Sequence, residues 1–257
     1  MRQELLQYIK THKRLLNPIE LTRRVLFRGC KCGDNDEDEI ALTQGQIIKN
    51  YLGANQTCKL QIGSGPNALE GWLNTDINPT NENVLKLDAT GTLPFDDCTF
   101  DYVFSEHLIE HLEYQDGIKF VRECYRVLKP SGKIRVSTPD FRFLIELYAE
   151  KKTELQERYI VWAVDSFLSH SGIYRDTFVI NNFFRDWGHK FIYDYKTLRD
   201  VLEKCGFINI TRYNPGESDD KVFQGIEAHG LVIPDEFNEL ESMVLEGAKN
   251  HLRDKNI

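Results

Sequence analysis

Beyond residue 57 the apolar positions come in short runs, most of them closed by small or polar residues. CKLQI (58–62) stops at GSGPN and WLNTDI (72–77) at the turn-rich NPTNEN. VLKLDA (84–89) follows, and FDYVFSE (100–106) has apolar residues at 100, 103 and 104. Runs of this length bounded by turn formers predict four strands. Ile118, Val121, Cys124, Tyr125 and Leu128 then recur at helical spacing as far as KPSGK, where Pro130 and Gly132 end the helix. KIRVSTPD (133–140) predicts a fifth strand. Residues 141–190 are aromatic-rich and mostly helical. YDYKTLRDVLEKCGF (193–207) predicts a helix closed by Gly206, with the strand FINITRY after it and a last strand at SMVLEGA (242–248). Strands separated by helical or loop crossovers predict an α/β fold with a mostly parallel sheet. In such sheets ligands bind at the carboxyl ends of the strands.

Composition sets the outer bounds. The chain has 257 residues, 41% of them hydrophobic and 28% charged, enough for one large domain with or without an appendage. Its apolar runs are too short to span a bilayer. The start, MRQELLQYIKTHKRLL, lacks the uncharged core and cleavage site of a secretory signal. Six scattered cysteines, most in segments read as core, suggest reduced thiols and a cytoplasmic setting. The close pair Cys30-Lys31-Cys32 is read as ordinary thiols. Charge is uneven: residues 1–33 hold eight Lys/Arg against two Asp/Glu (+6), and the rest 24 against 38 (−14). An acidic body argues against a nucleic-acid partner. The basic amphipathic N-terminus (Leu5, Leu6, Ile9, Leu15, Leu16, Ile19) is read as a helical extension packing on the body, with contact to an anionic membrane surface or to a partner as the alternative. DNDEDE (34–39) is read as a solvated linker. The expected division is residues 1–40 as extension and linker, then a domain over 41–257.

The strand ends carry the chemistry. Gly63-Ser64-Gly65 allows a tight turn and a close backbone approach to a ligand. Asp76, 13 residues after Gly63, can accept from both hydroxyls of a ribose. Asp88-Ala89 offers a carboxylate one strand over, suited to an exocyclic amine. Ser105-Glu106-His107 closes the fourth strand. A single G-x-G or a single acid is weak evidence; four successive strand ends are not.

LQIGSG, LNTDI, LPFDDCTFDYVFSEHLIEH, CYRVLKPSGKI and WGHKFIYDYKTLRDVLEKCGF, in that order, resemble the class I S-adenosylmethionine-dependent methyltransferases. The resemblance covers roughly residues 57 to 213 and is greatest to the small-molecule branch labelled methyltransferase type 11. It implies a Rossmann-like, seven-stranded, mostly parallel sheet whose last strand is antiparallel, with S-adenosylmethionine as cofactor and S-adenosylhomocysteine as product. By position, Gln61, Gly63, Ser64 and Gly65 line the methionine end, Asp76 takes the ribose, and its neighbour Ile77 also lines the cofactor. Asp88 and Ala89 meet the adenine, and Ser105 lines the methyl-donor side. Two departures stand out. Gln61 replaces an acidic residue of the family motif, and the short interval from Gly63 to Asp76 leaves room only for a one-turn helix or a loop.

Within SEHLIEHL, His107 and His111 have the H-x-x-E-H spacing of a zinc hydrolase. A strand immediately before and a loop at EYQDG after argue against the long helix that motif needs, so no metal is expected. For a hydroxyl acceptor a general base helps, and His107 is the first candidate, His189 in WGHKF the second, with Glu106 orienting either. The stretch 141–190 reads as a helical lid that builds the acceptor pocket. Arg142, Tyr174, Arg175, Asn181, Asn182 and Arg185 are its candidate polar contacts. The expected function is methyl transfer to a small acceptor, a hydroxyl of a sugar or sugar conjugate. That choice rests on the polysaccharide and glycolipid pathways in which similar proteins act, not on a residue. The alternatives are a non-catalytic cofactor-binding or interaction protein on the same fold and, remotely, the zinc hydrolase.

Overall fold

The computed structural model describes residues 34–79 and 81–250. The basic segment 1–33, and with it the expected extension and membrane contact, lies outside the described residues. The first element is helix α1 (Asp34–Ala54), so the acidic run expected as a linker is instead helical. Toward its other end Ile47, Ile48, Tyr51 and Leu52 pack on the core. The Tyr51 hydroxyl donates to the Lys59 carbonyl (2.9 Å) and accepts from the Lys59 amide (2.8 Å), clipping α1 to the first strand.

Four short strands follow where the pattern placed them: β1 (Lys59–Ile62), β2 (Leu73–Asp76), β3 (Val84–Lys86) and β4 (Phe100–Glu106). Helix α2 (Tyr114–Val127) buries Gly117, Phe120, Val121, Cys124 and Val127 along one stripe at helical spacing. It ends three residues before Pro130, and β5 (Leu128–Pro139) starts at once, earlier than the expected 133. Helices α3 (Phe141–Leu147), α4 (Glu154–Phe167) and α5 (Asp176–Arg185) fill the aromatic stretch. Asp140 caps α3 by accepting from the Arg142 amide, and Thr153 with Gln156 forms a capping box on α4. Helix α6 (Tyr195–Cys205) is capped by Asp194 and closed by Gly206 at φ 110°. Then come β6 (Phe207–Tyr213), α7 (Asp235–Glu241) and β7 (Ser242–Lys249).

The strands form one sheet in the order β3-β2-β1-β4-β5-β7-β6. Pairs from β3 to β5 are parallel, and β7 lies antiparallel to both β5 and β6. This is the sheet of the class I methyltransferase fold, as the resemblance implied. The main core lies between the sheet and α2 and α6. A second cluster, with Phe143, Leu147, Tyr159, Val164 and Phe183, is built largely from α3–α5, so most of the aromatics of 141–190 serve a helical unit's own interior. Tyr148, Tyr174 and Phe184 remain exposed. Cys58, Cys124 and Cys205 are buried and unpaired, while Cys98 is exposed. Among the described residues no helix is long and apolar enough to cross a membrane.

Candidate active site

The carboxyl ends of β1 and β2 meet at the glycine turn. The amides of Gly63 and Ser64 both donate to the Thr75 carbonyl (2.9 and 3.0 Å), which folds the chain back over β2. Gly63 sits at φ 76°, and a Cβ there would lie 3.1 Å from the Leu108 side chain. Gly65, at φ 51°, has no heavy atom within 4 Å of where its Cβ would be, so open space lies over the second glycine. Its amide donates to Asp76 Oδ2 (2.8 Å), and the Asn78 amide donates to Asp76 Oδ1 (2.8 Å). Each carboxylate oxygen keeps a lone pair for a further donor. Ile77, 54% exposed, places an apolar side chain in the open beside that carboxylate. The 63–72 stretch is a loop without a helix, in line with its short length.

Gln61 differs in kind from its neighbours. It is buried, its Nε2 donates to the Asn67 carbonyl (3.1 Å), and its Oε1 accepts from the Leu69 amide (3.1 Å). Its amide is committed to shaping the loop that follows the glycines. Ser64 is buried beneath the turn and Ala89 is buried at the end of β3. Asp88 accepts on Oδ1 from the Thr90 amide (2.8 Å) and hydroxyl (2.7 Å), and the Thr90 amide bond leads the effects that lower its pKa. The Ser105 hydroxyl is fully buried and has no hydrogen-bond partner.

At the end of β4 the chain turns sharply. His107 adopts φ 45°, and a short 3-10 helix (Ile109–His111) follows. The motif HLIEH is therefore not one α-helical face, and its two histidines part company. His107 Nδ1 donates to Glu110 Oε1 (3.1 Å), its Nε2 to Ser242 Oγ (3.3 Å), and its ring stacks on His229 at 3.9 Å. The Ser242 hydroxyl gives its own proton to Asn238 Oδ1 (3.0 Å), so both His107 nitrogens act as donors, the pattern of an imidazolium. Burial opposes that charge, but the hydrogen bond to Glu110 and the charges of Glu110, Glu106 and Glu241 outweigh it and raise the His107 pKa. Glu110 is fully buried, which alone would raise its pKa. The His107 hydrogen bond and the positive field of His107, His111 and His189 instead hold it at about 2.

His111 faces His189, ring to ring at 4.9 Å. His189 Nδ1 donates to the Phe183 carbonyl (2.7 Å), and burial is the main cause of its lowered pKa. Glu110, His111 and His189 each bring one ligand-capable atom to within 4.8 Å of the others. Glu106 faces elsewhere: its carboxylate accepts from the amides of Ala228 and His229 (2.9 Å each) and anchors the 226–229 loop. His229 in turn donates to Glu241 (3.0 Å), which also receives the Tyr159 hydroxyl.

The expected acceptor contacts do not form one group. Arg142 is 72% exposed at its side chain and pairs with Glu146 (2.6 Å). Tyr174 donates to Asp165 (2.7 Å), and Arg175 is exposed ahead of α5. Asn181, Asn182 and Arg185 share an open cleft of about 350 Å³ with Phe178 and Asp186. Sequence reasoning passed over Glu110, although it lies inside the quoted motif, and also Thr138, His229, Glu241 and Ser242. Only the fold brings those four to the end of β4.

Residues 62–136 match the family model described as methyltransferase domain. The match falls within the stretch where the sequence motifs resemble methyltransferases. A probable S-adenosylmethionine-dependent methyltransferase of Mycobacterium tuberculosis is 50% identical over 48 residues, 19% of this chain and 17% of that one. Phosphoethanolamine N-methyltransferase 2 of Caenorhabditis elegans is 27% identical over 140 residues, 54% of this chain and 24% of that one. The chain thus spans less than a quarter of the length of these curated relatives. Among solved structures, a SAM-dependent methyltransferase from Archaeoglobus fulgidus aligns with a TM-score of 0.44 at 17% identity, over 82% of this chain and 94% of that one. Phosphoethanolamine N-methyltransferase 2 of Haemonchus contortus in complex with S-adenosyl-L-methionine aligns with a TM-score of 0.40 at 16% identity, over 80% and 52%.

Proposed function

We propose that the protein transfers the methyl group of S-adenosylmethionine to a hydroxyl of a small acceptor, a sugar or sugar conjugate. The observation that carries the cofactor half is the Asp76 carboxylate, fixed by the Gly65 amide at 2.8 Å beside open space over the glycine turn. Asp76 takes the two ribose hydroxyls, Ile77 packs on the adenine face, and Asp88 with Ala89 meets the adenine edge. Gly63 and Gly65 let the methionine end approach the backbone, and Ser105 lies toward the sulfonium.

The chemistry is an in-line displacement. An acceptor oxygen forms the new bond to the methyl carbon while the carbon–sulfur bond breaks and its electron pair returns to sulfur. Holding the two reactants in that geometry supplies most of what the protein must add. His107 and His189 are the candidate bases, and Arg142, Tyr174, Arg175, Asn182 and Arg185 are the polar groups the helical lid offers an acceptor. The hydroxyl assignment follows the family resemblance.

An amine acceptor is the second reading, supported by the similarity to the Caenorhabditis elegans phosphoethanolamine enzyme. Incubation with methyl-labelled S-adenosylmethionine and separate panels of sugar conjugates and phosphorylated amines tests both. Label on a sugar oxygen supports the first reading, label on nitrogen the second, and label on neither, across both panels, overturns the pair.

A further inference from the structure

We propose that Glu110, His111 and His189 form a divalent-cation site of the two-histidine, one-carboxylate kind, with its remaining face open to an oxygen ligand. This is a different set from the His107/His111 pair that the sequence spacing offers. The three ligand atoms lie within 4.8 Å of one another. An ion held at ~2.1 Å from each needs them roughly 3–3.5 Å apart, a change within reach of small side-chain rotations.

The surroundings favour a built site over a chance meeting of polar side chains. His189 donates from Nδ1 to the Phe183 carbonyl (2.7 Å), which leaves Nε2 as the nitrogen with the lone pair. A backbone acceptor behind a histidine in this way is how ligating imidazoles are commonly oriented. Glu110 is aimed from two sides, by His107 Nδ1 on Oε1 (3.1 Å) and by the Thr138 hydroxyl on Oε2 (3.0 Å). Each of its oxygens keeps a lone pair. The two segments that carry the ligands are also tied to each other. The amides of Lys190 and Phe191 both donate to the Glu110 carbonyl (2.8 and 3.1 Å). The positions of the ligands are thus fixed by the backbone, not by the flexibility of surface acids, and Glu110 is fully buried.

Nitrogen and carboxylate donors suit zinc, manganese, iron(II) and cobalt(II) better than calcium or magnesium. Three protein ligands leave coordination positions for an exchangeable oxygen, the mark of a working site as opposed to a structural one. Its use rests on the methyl-transfer reading. An acceptor hydroxyl bound there loses its proton to solvent more readily. Its oxygen then takes the methyl group as sulfur recovers the electron pair. The existence of the site does not rest on that reading.

The test is titration of the chelator-stripped full chain with cobalt(II) chloride alone, followed by calorimetry and visible absorption. The expected result is one cobalt per chain with ligand-field bands and no thiolate charge-transfer band, which would report the Cys30/Cys32 pair instead. His111→Ala and His189→Ala should each weaken binding at least as much as loss of an outer-shell partner does, about 10- to 100-fold. His170→Ala, on the α4–α5 connection, should bind like wild type. No binding by folded protein, or stoichiometric binding that both ligand variants leave intact, overturns the site. S-adenosylmethionine is titrated into the same metal-free protein. Cofactor binding without cobalt binding removes the metal site and leaves the methyl-transfer reading standing. Cobalt binding without cofactor binding does the reverse.

Discussion

His107 gives Glu110 a hydrogen bond of 3.1 Å across three residues of backbone, and Glu110 is completely buried. The pair ties the end of β4 to the 3-10 turn that follows, and it makes stability depend on pH in a defined direction. The His107 pKa is raised above its ordinary 6.5, so its contribution is whole below 6.5 and is lost as pH rises through the folded value. Glu110 is lowered from 4.5 to about 2, so its contribution is whole above 4.5 and is lost as pH falls toward 2. Stability from this pair is therefore greatest between 4.5 and 6.5. Denaturant unfolding at a series of pH values should show wild type weakening on the alkaline side of this window. Glu110→Gln should abolish that slope, and at mid-window it should cost about 3–5 kcal/mol, the range for breaking a buried pair. A wild-type stability that stays flat above 6.5 contradicts the assignment.

The same pair shapes the rate. An imidazolium cannot take a proton, so His107 acts as a base only after its proton is lost. Turnover should climb with pH beyond 6.5. His107→Ala should keep cofactor affinity, lower kcat and lose that climb. Steady-state kinetics across pH on the variant checks it, and a fully active variant removes His107 from the chemistry.

The two glycines of the turn should fail differently. Gly63→Ala meets both a left-handed backbone and the Leu108 side chain at 3.1 Å, so it should lower the melting temperature. The left-handed conformation alone costs roughly 1–2 kcal/mol. Gly65→Ala meets only the backbone cost, because its Cβ would point into open space. It should melt closer to wild type yet lose cofactor affinity. Paired melting curves and cofactor titrations separate the two, and equal behaviour would contradict the assignment of that space to the cofactor.

Arg135 is buried in β5 between Glu227 (2.5 Å) and Glu246, and it also donates to the Glu217 carbonyl (2.8 Å). It pins the 217–227 segment to the sheet, and Phe223 of that segment stacks on Trp72, in the loop that follows the glycine turn. Arg135→Ala should cost about 3–5 kcal/mol, since both carboxylates lose their partner. Denaturant unfolding of the variant beside wild type checks that cost.

The sheet was legible because each early strand is short and stops at a glycine, an acid or a polar turn. Helix α2 was legible because its buried residues recur at helical spacing. The acidic run 34–39 misled: charge alone reads as linker, whereas the run opens helix α1. Gln61 looked like a cofactor contact because of its place before the glycines, yet the inward face of β1 commits it to the loop at 67–69. Glu106 looked like a partner for histidine, and the alternation along β4 turned it toward the 226–229 loop instead. The left-handed turn at His107 has no sequence mark. That turn sends His107 toward Ser242, 135 residues away, and leaves His111 facing His189.

Asp76 carries the central claim, and calorimetric titration tests it most directly. Wild type should bind both S-adenosylmethionine and S-adenosylhomocysteine in the micromolar range. Asp76→Ala should lose most of that affinity, since hydrogen bonds to a charged group contribute about 1.5–3 kcal/mol each. A well-folded wild-type protein that binds neither compound, or an Asp76→Ala variant that binds both as tightly as wild type, would contradict the account.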